Sequence, residues 1–226
     1  MVLATIHNNI SIIKKDVKNI SLKVKPNCEV ILTTPLLTTD NHISYILNKR
    51  EDWINQRLEF YKSSNKPQAK EYISGESFKY LGKSYRLKII KSDDEKVKLQ
   101  RGYIQIFIKN KDNIIRKQNL LNEWYLSKAQ LYFKKIISQY SHIINKPINN
   151  IKIRQMKTRW GSCNPSKGYI NLNSELIKKS KDCIEYVIFH ELTHLIHTDH
   201  NKQFYNFMSV YMPDWKKRKE KLESLE

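Results

Sequence analysis

The chain has 226 residues, 41 Lys and Arg against 22 Asp and Glu, and a net charge of +19. It carries 5 Gly and 6 Pro with 40% apolar residues, which excludes collagen-like and low-complexity classes and leaves enough for one sizeable core and a smaller second one. The positive excess attracts polyanions, so nucleic acid, a nucleotide or an anionic surface is a partner to consider alongside a plain solvated lysine surface.

From Ile10 to Leu32, apolar and polar residues alternate in short bursts such as Ile20-Ser21-Leu22-Lys23-Val24, broken near Pro26-Asn27. That period predicts strands. The stretch Asp40 to Tyr61 turns helical, with Ile43, Ile46, Leu47, Ile54 and Leu58 near helical spacing and Asp40 as its cap. Residues 62–75 are polar and form a connector. Strand patterning returns over 77–109, where Tyr85, Leu87 and Ile89 alternate with polar residues and Ile104, Ile106 and Ile108 do the same. A long helical pattern without Pro or Gly runs from Ile114 to Ile144 and ends before Pro147. Two strands follow, at Ile151–Met156 and Gly168–Asn173, then a helix from about Lys181 capped by Ser180, with Asp182 and Glu185 at its start. Two short helices parted near Pro213 complete the pattern.

The expected class is α+β, with a smaller β-rich lobe ahead of a more helical one. The expected boundary lies near residue 110, giving a β-rich lobe over 1–110 and a second domain over 111–226 that contains the histidine cluster at 190–200. The cysteines, Cys28, Cys163 and Cys183, are odd in number and form no C-x-x-C pair, which favours a reducing compartment. Met1 to Asp16 lacks a signal-peptide pattern, and no apolar run approaches the roughly 18–20 residues that span a bilayer. A cytoplasmic protein without membrane attachment is expected.

The chemistry concentrates at His190-Glu191-Leu192-Thr193-His194. Four residues turn a helix by about 400°, so the two imidazoles lie on one face and can reach one ion. Glu191 sits about 100° round the helix, able to act as general base without ligating the metal. Four of the 7 histidines fall within 190–200, which argues against chance surface placement. His197 and His200 are candidates for the third ligand. A returning segment closes a tripod better than a third histidine further along a straight helix, so His200 is chosen beyond a helix end at Thr198-Asp199. His190, His194 and His200 then bind one Zn²⁺, leaving a fourth position open. Arg159, His197 and Tyr205 are candidates for substrate or transition-state contacts. The segment Thr158 to Cys163 reads either as a buried Trp beside a tight Gly turn or as an edge along the cleft that pairs with an extended substrate. Cys163 as a soft ligand would close the open position.

These segments resemble the YgjP-like metallopeptidase domain, a bacterial zincin family akin to the SprT-like and WLM-type proteases. The resemblance rests on Arg159 to Cys163, Gly168 to Asn173, His190 to His200, Phe204 and Pro213-Asp214-Trp215. It extends to Phe78 to Leu87 and to Trp53-Ile54. It implies a zincin-like catalytic domain built on the H-E-x-x-H helix, and a zinc metallopeptidase acting on polypeptides through the three histidines, in a family whose members have been labelled both peptidases and a UTP pyrophosphatase. His197 stands where the metzincin pattern has Gly, so the turn before His200 must use Thr198 and Asp199, and Asp tolerates the left-handed region. Two further functions compete with peptide hydrolysis: nucleoside triphosphate hydrolysis, and nucleic-acid binding by a module with structural zinc.

Overall fold

The computed structural model describes residues 10–25, 27–63 and 70–224. Residues 1–9 of the start read as free of a signal peptide, Pro26 of the first strand break, and 64–69 of the polar connector lie outside the described residues. The chain divides into two compact units, Met1–Lys70 and Glu71–Glu226. The boundary expected near residue 110 falls inside the second.

In the first unit, β1 (Ile10–Lys15), β2 (Ser21–Val24) and β3 (Val30–Pro35) form a sheet of order β1-β3-β2. Two helices follow, α1 (Asp40–Lys49) and α2 (Glu51–Ser63). A single helix was expected here, with Asp40 as its cap. Instead Thr39 is the cap, accepting from the His42 N–H, and the backbone leaves helical geometry at Arg50. The break lets Ile43 and Leu47 of α1 and Ile54 of α2 share one core with Val30 and Leu32.

The second unit holds two sheets. One has order β4-β5-β7-β6, from β4 (Ser77–Tyr80), β5 (Lys83–Lys91), β6 (Lys96–Gln100) and β7 (Tyr103–Ile108). The helix α3 (Ile114–Ile144) spans the expected residues, its start capped by Asn113 and its end by a left-handed Asn145. Its stripe of Leu120, Leu121, Trp124, Ala129, Phe133, Ile136 and Ile137 joins one core with Leu87, Ile104 and Ile106 of this sheet. That shared core is why residues 77–109 belong to the second unit.

The other sheet is β8 (Asn150–Arg154), β10 (Tyr169–Asn173) and β9 (Gly161–Asn164), with β9 at an edge and antiparallel to β10. A short 3-10 helix (Ser174–Lys178), α4 (Lys181–Thr193), α5 (Lys202–Tyr211) and α6 (Trp215–Glu223) follow, the last two parted at Pro213 as expected. The strand β9 matches one of the two readings of Thr158–Cys163, and the 3-10 helix was not expected.

The β4–β5 hairpin fixes where α4 begins. Leu81 and Gly82 both take left-handed backbone, and their N–H groups donate to Ile177 and Lys178 carbonyls. A Cβ on Gly82 would come within 2.8 Å of the Ser180 Cα, so only glycine lets the turn approach this closely. Ser180 occupies the N-cap position without a side-chain cap bond, and its hydroxyl donates to Cys183 Sγ at 3.1 Å. In the first turns of α4, Arg218 bonds Glu185 as well as Asp214, Tyr140 donates to Glu185 at 2.8 Å, and Lys221 donates to Asp182 at 2.9 Å. These links fasten α6 and α3 to α4. Among the described residues, no helix is long and apolar enough to cross a membrane, and the cysteines are free thiols.

Candidate metal centre

The helix α4 is buried along most of its length, through Ile184, Val187, Ile188, Phe189 and Leu192. Its last turn brings His190 and His194 together, with ring centroids 5.0 Å apart and planes near perpendicular at 84°. The helix was expected to continue to Thr198-Asp199. It ends at Thr193, with His194 as its cap, because the chain tightens into turns: Leu195 and Ile196 donate to the Leu192 and Thr193 carbonyls. The descent to His200 uses no left-handed residue at Thr198 or Asp199, contrary to expectation; the left-handed non-glycine residues described are Cys28, Tyr72, Leu81, Arg101 and Asn145.

His200 then meets the other two rings, at centroid distances of 4.9 Å to His190 and 4.6 Å to His194. One ring nitrogen from each histidine falls within 4.8 Å of the others. The Nε2 atoms of His190 and His200 are 2.9 Å apart. Asn201 starts α5 immediately afterwards by accepting from the Phe204 N–H. This places the fully buried Phe204 under all three imidazoles, 4.8 to 5.0 Å from each centroid. Burying a side chain of that size contributes about 1.5–3 kcal/mol, and here it also holds the rings at one depth.

His197 is not part of this group. Its carbonyl lies 3.1 Å from His194 Nδ1, and its ring packs on Phe207 at 5.6 Å. The Cys163 Sγ is also outside the three-nitrogen cluster. Burial, reinforced by His194, His200 and Lys219, pushes the His190 imidazole down to about 3. Burial also lowers His194, against the His197 carbonyl. His190 and His194 are thus pushed toward the neutral form, the one that coordinates a cation. Three imidazoles that converge within this span fit a zinc ion with one position left open.

Glu191 is buried beside them, and burial raises its carboxyl to about 7 despite the opposing charge of Arg159. Gly161 of β9 makes room for it. A Cβ at Gly161 would lie 2.6 Å from Glu191 Cγ and 2.7 Å from its Oε1. Gly161 is therefore in strand, where a tight turn was one expectation, and an edge strand along the cleft was the other. Burial and the nearby Glu191 push the Cys163 thiol up to about 12, which makes it a poor nucleophile.

A cleft of about 470 Å³ opens over this group. Of the residues singled out from sequence, His190, Glu191, His200, Arg159 and Tyr205 line it. Tyr205 is stacked on His200 at 6.1 Å and on Trp215 at 5.0 Å. The sequence reading did not find Tyr186, Lys219, Leu222 or Glu223, which also line the cleft. Tyr186 lies one turn before His190 on a helix already read as such, which was a usable signal; the α6 residues had none, because only tertiary packing brings them here.

A family model described as YgjP-like, metallopeptidase domain, matches residues 18–225. Among solved structures, the metallopeptidase zymogen of Methanocaldococcus jannaschii jannalysin is 24% identical over 40% of this chain and 92% of its own, with a TM-score of 0.36. That of Pyrococcus abyssi abylysin is 18% identical over 40% of this chain and 90% of its own, also with a TM-score of 0.36. No curated protein matches the chain.

Proposed function

The chain belongs to the YgjP-like metallopeptidase domain family, and from that premise we propose that it is a zinc-dependent peptidase in which His190, His194 and His200 hold the metal and Glu191 is the general base. The observation that carries this reading is the convergence of three imidazole nitrogens within 4.8 Å beside a buried carboxyl. Zinc, when bound, supplies Lewis acidity that activates water near neutral pH and polarises a carbonyl.

The residues divide the remaining work. Glu191 takes the proton of the attacking water and returns it to the leaving amine; its buried position keeps its proton affinity near the working pH, where such a group is most effective. The outer edge of β9 offers backbone groups to an extended polypeptide, which pairs as an added strand beside Glu191. Arg159 and Tyr205 line the cleft and are candidate donors to the oxyanion. His197 serves through its carbonyl, by fixing the His194 ring. The catalytic role falls to the second unit, which contains every one of these residues.

Arg159 and Lys219 on the cleft favour one second reading, hydrolysis of a nucleotide phosphoanhydride, whose charge two cations would stabilise. Assays of zinc-loaded protein against unfolded polypeptides and nucleoside triphosphates, side by side, separate the two. In the peptidase reading, Glu191→Gln keeps its zinc and melting temperature while peptide turnover falls about 10²- to 10⁴-fold. Unchanged peptide turnover in that variant would overturn it.

A further inference from the structure

The four-stranded sheet has one face on the core of α3, through Leu87, Ile104 and Ile106. Alternate residues of a strand turn to opposite faces, so the pairing register defines what the other face presents. Arg86 on β5 stands beside Tyr103 on β7, and Lys88 beside Gln105. On β6, Lys98 is opposite Gln105 and Lys96 opposite Phe107. None of the outward positions on the four strands is Asp or Glu. Asp94, in the turn ahead of β6, is paired with Lys96. Arg86, Lys88 and Lys98 are exposed and form no ion pair among the described residues. Tyr103 is 41% exposed, and Lys96 Nζ sits 5.8 Å from the Phe107 centroid.

A row of exposed cations with no carboxylate among the strand positions holds the phosphate backbone of a nucleic acid. Aromatic rings set among them add something a simple polyanion does not use, a surface on which unpaired bases stack. Tyr103 and Phe107 are four residues apart on one strand, roughly 13 Å, with the amide of Gln105 between them. The bases of a duplex are already stacked on each other and leave no face free for these rings. We propose that this face binds single-stranded nucleic acid, with bases on Tyr103 and Phe107 and phosphates over Arg86, Lys88 and Lys98. The site shares no residue with the cleft over the three histidines, and its test does not depend on catalysis.

The experiment is fluorescence anisotropy of the full chain with a short labelled oligodeoxythymidine, its RNA counterpart and a duplex, across a salt series. Anionic phospholipid vesicles are tested in parallel. Tyr103→Ala should weaken single-strand binding about tenfold, and Tyr103→Phe should restore it. The triple variant Arg86→Ala/Lys88→Ala/Lys98→Ala should lower the log–log salt slope by about 2 for single strands. Removing the same charge from α5 and α6, in Lys202→Ala/Lys216→Ala/Lys217→Ala, should leave most of the affinity. Equal losses in the two triple variants, no binding at low salt, or a Tyr103-independent preference for duplex or vesicles would each overturn the assignment. Thermal unfolding of every variant confirms that the sheet is intact; if Tyr103→Ala unfolds, the comparison of the two charge-removing triples decides.

Discussion

The carbonyl oxygen of His197 lies 3.1 Å from Nδ1 of His194. A backbone carbonyl only accepts, so this bond places the proton on Nδ1 and leaves Nε2 of His194 for a cation. The bond needs no side chain at position 197. His197→Ala should therefore retain one zinc per chain, whereas His194→Ala or His200→Ala should lose it. Metal analysis of the three purified variants checks this, and zinc lost from His197→Ala but kept by His200→Ala would reverse the ligand choice.

Gly161 and Glu191 are in close contact across the cleft. The atoms that a Cβ at Gly161 would strike belong to the buried Glu191 side chain, from Cγ outward, so it is this side chain and not backbone that must shift. Gly161→Ala should thus leave folding and zinc content nearly intact while displacing the carboxylate. Turnover should fall by about tenfold or more, toward the 10²- to 10⁴-fold limit set by losing a general base. Wild-type turnover in this variant would show that the carboxylate works from some other position.

Tyr205 is the phenol closest in sequence to His200, and it is held between that ring and Trp215. Its hydroxyl is not needed for this stacking. If it donates to the oxyanion, Tyr205→Phe should reduce kcat by about 10²- to 10³-fold with KM and zinc content unchanged. An unaltered kcat would reduce Tyr205 to a support for the His200 ring.

The link between α6 and α4 has a pH signature. Burial pushes the Asp182 carboxyl up, but hydrogen bonds from Ser180 and Lys221 outweigh it and hold the group at about 2. Its ordinary value lies near 4, so the stabilisation is complete above about pH 4 and disappears as pH falls toward 2. The pair is well exposed, which limits it to less than about 1 kcal/mol. Denaturant unfolding of metal-free protein should show a shallower acid-side loss in Asp182→Asn than in wild type. Parallel curves would mean that Lys221 contributes nothing to holding α6.

Features that repeat along the chain were legible in the sequence. The unbroken apolar period from Ile114 to Ile144 is α3, and His190 and Glu191 lie on α4 with His194 at its cap. Features set by packing between distant segments were not. Nothing local distinguishes Arg50 from a mid-helix residue, and the break there comes from two stripes seeking one small core. The strand pattern over 77–109 marks four strands without revealing that α3 covers them, which is why the boundary near residue 110 differs from the division after Lys70. Gly161 could be read as a turn or as a strand because the reason for its small size is Glu191, thirty positions away in the sequence.

An unpaired strand edge that welcomes an extended substrate will also welcome a strand from another molecule, the usual route to aggregation. Three features of β9 restrain it. It is only Gly161–Asn164 long, it carries the polar Ser162 and Asn164, and Pro165 follows directly. Proline has no N–H to continue the ladder. A second molecule could form only a few backbone bonds here before the register runs out, too few to seed a growing fibril. In the proposed peptidase, a substrate peptide would gain further hold from the cleft walls. The edge therefore rejects self-association by being short, and the same shortness ties strand pairing to occupancy of the cleft.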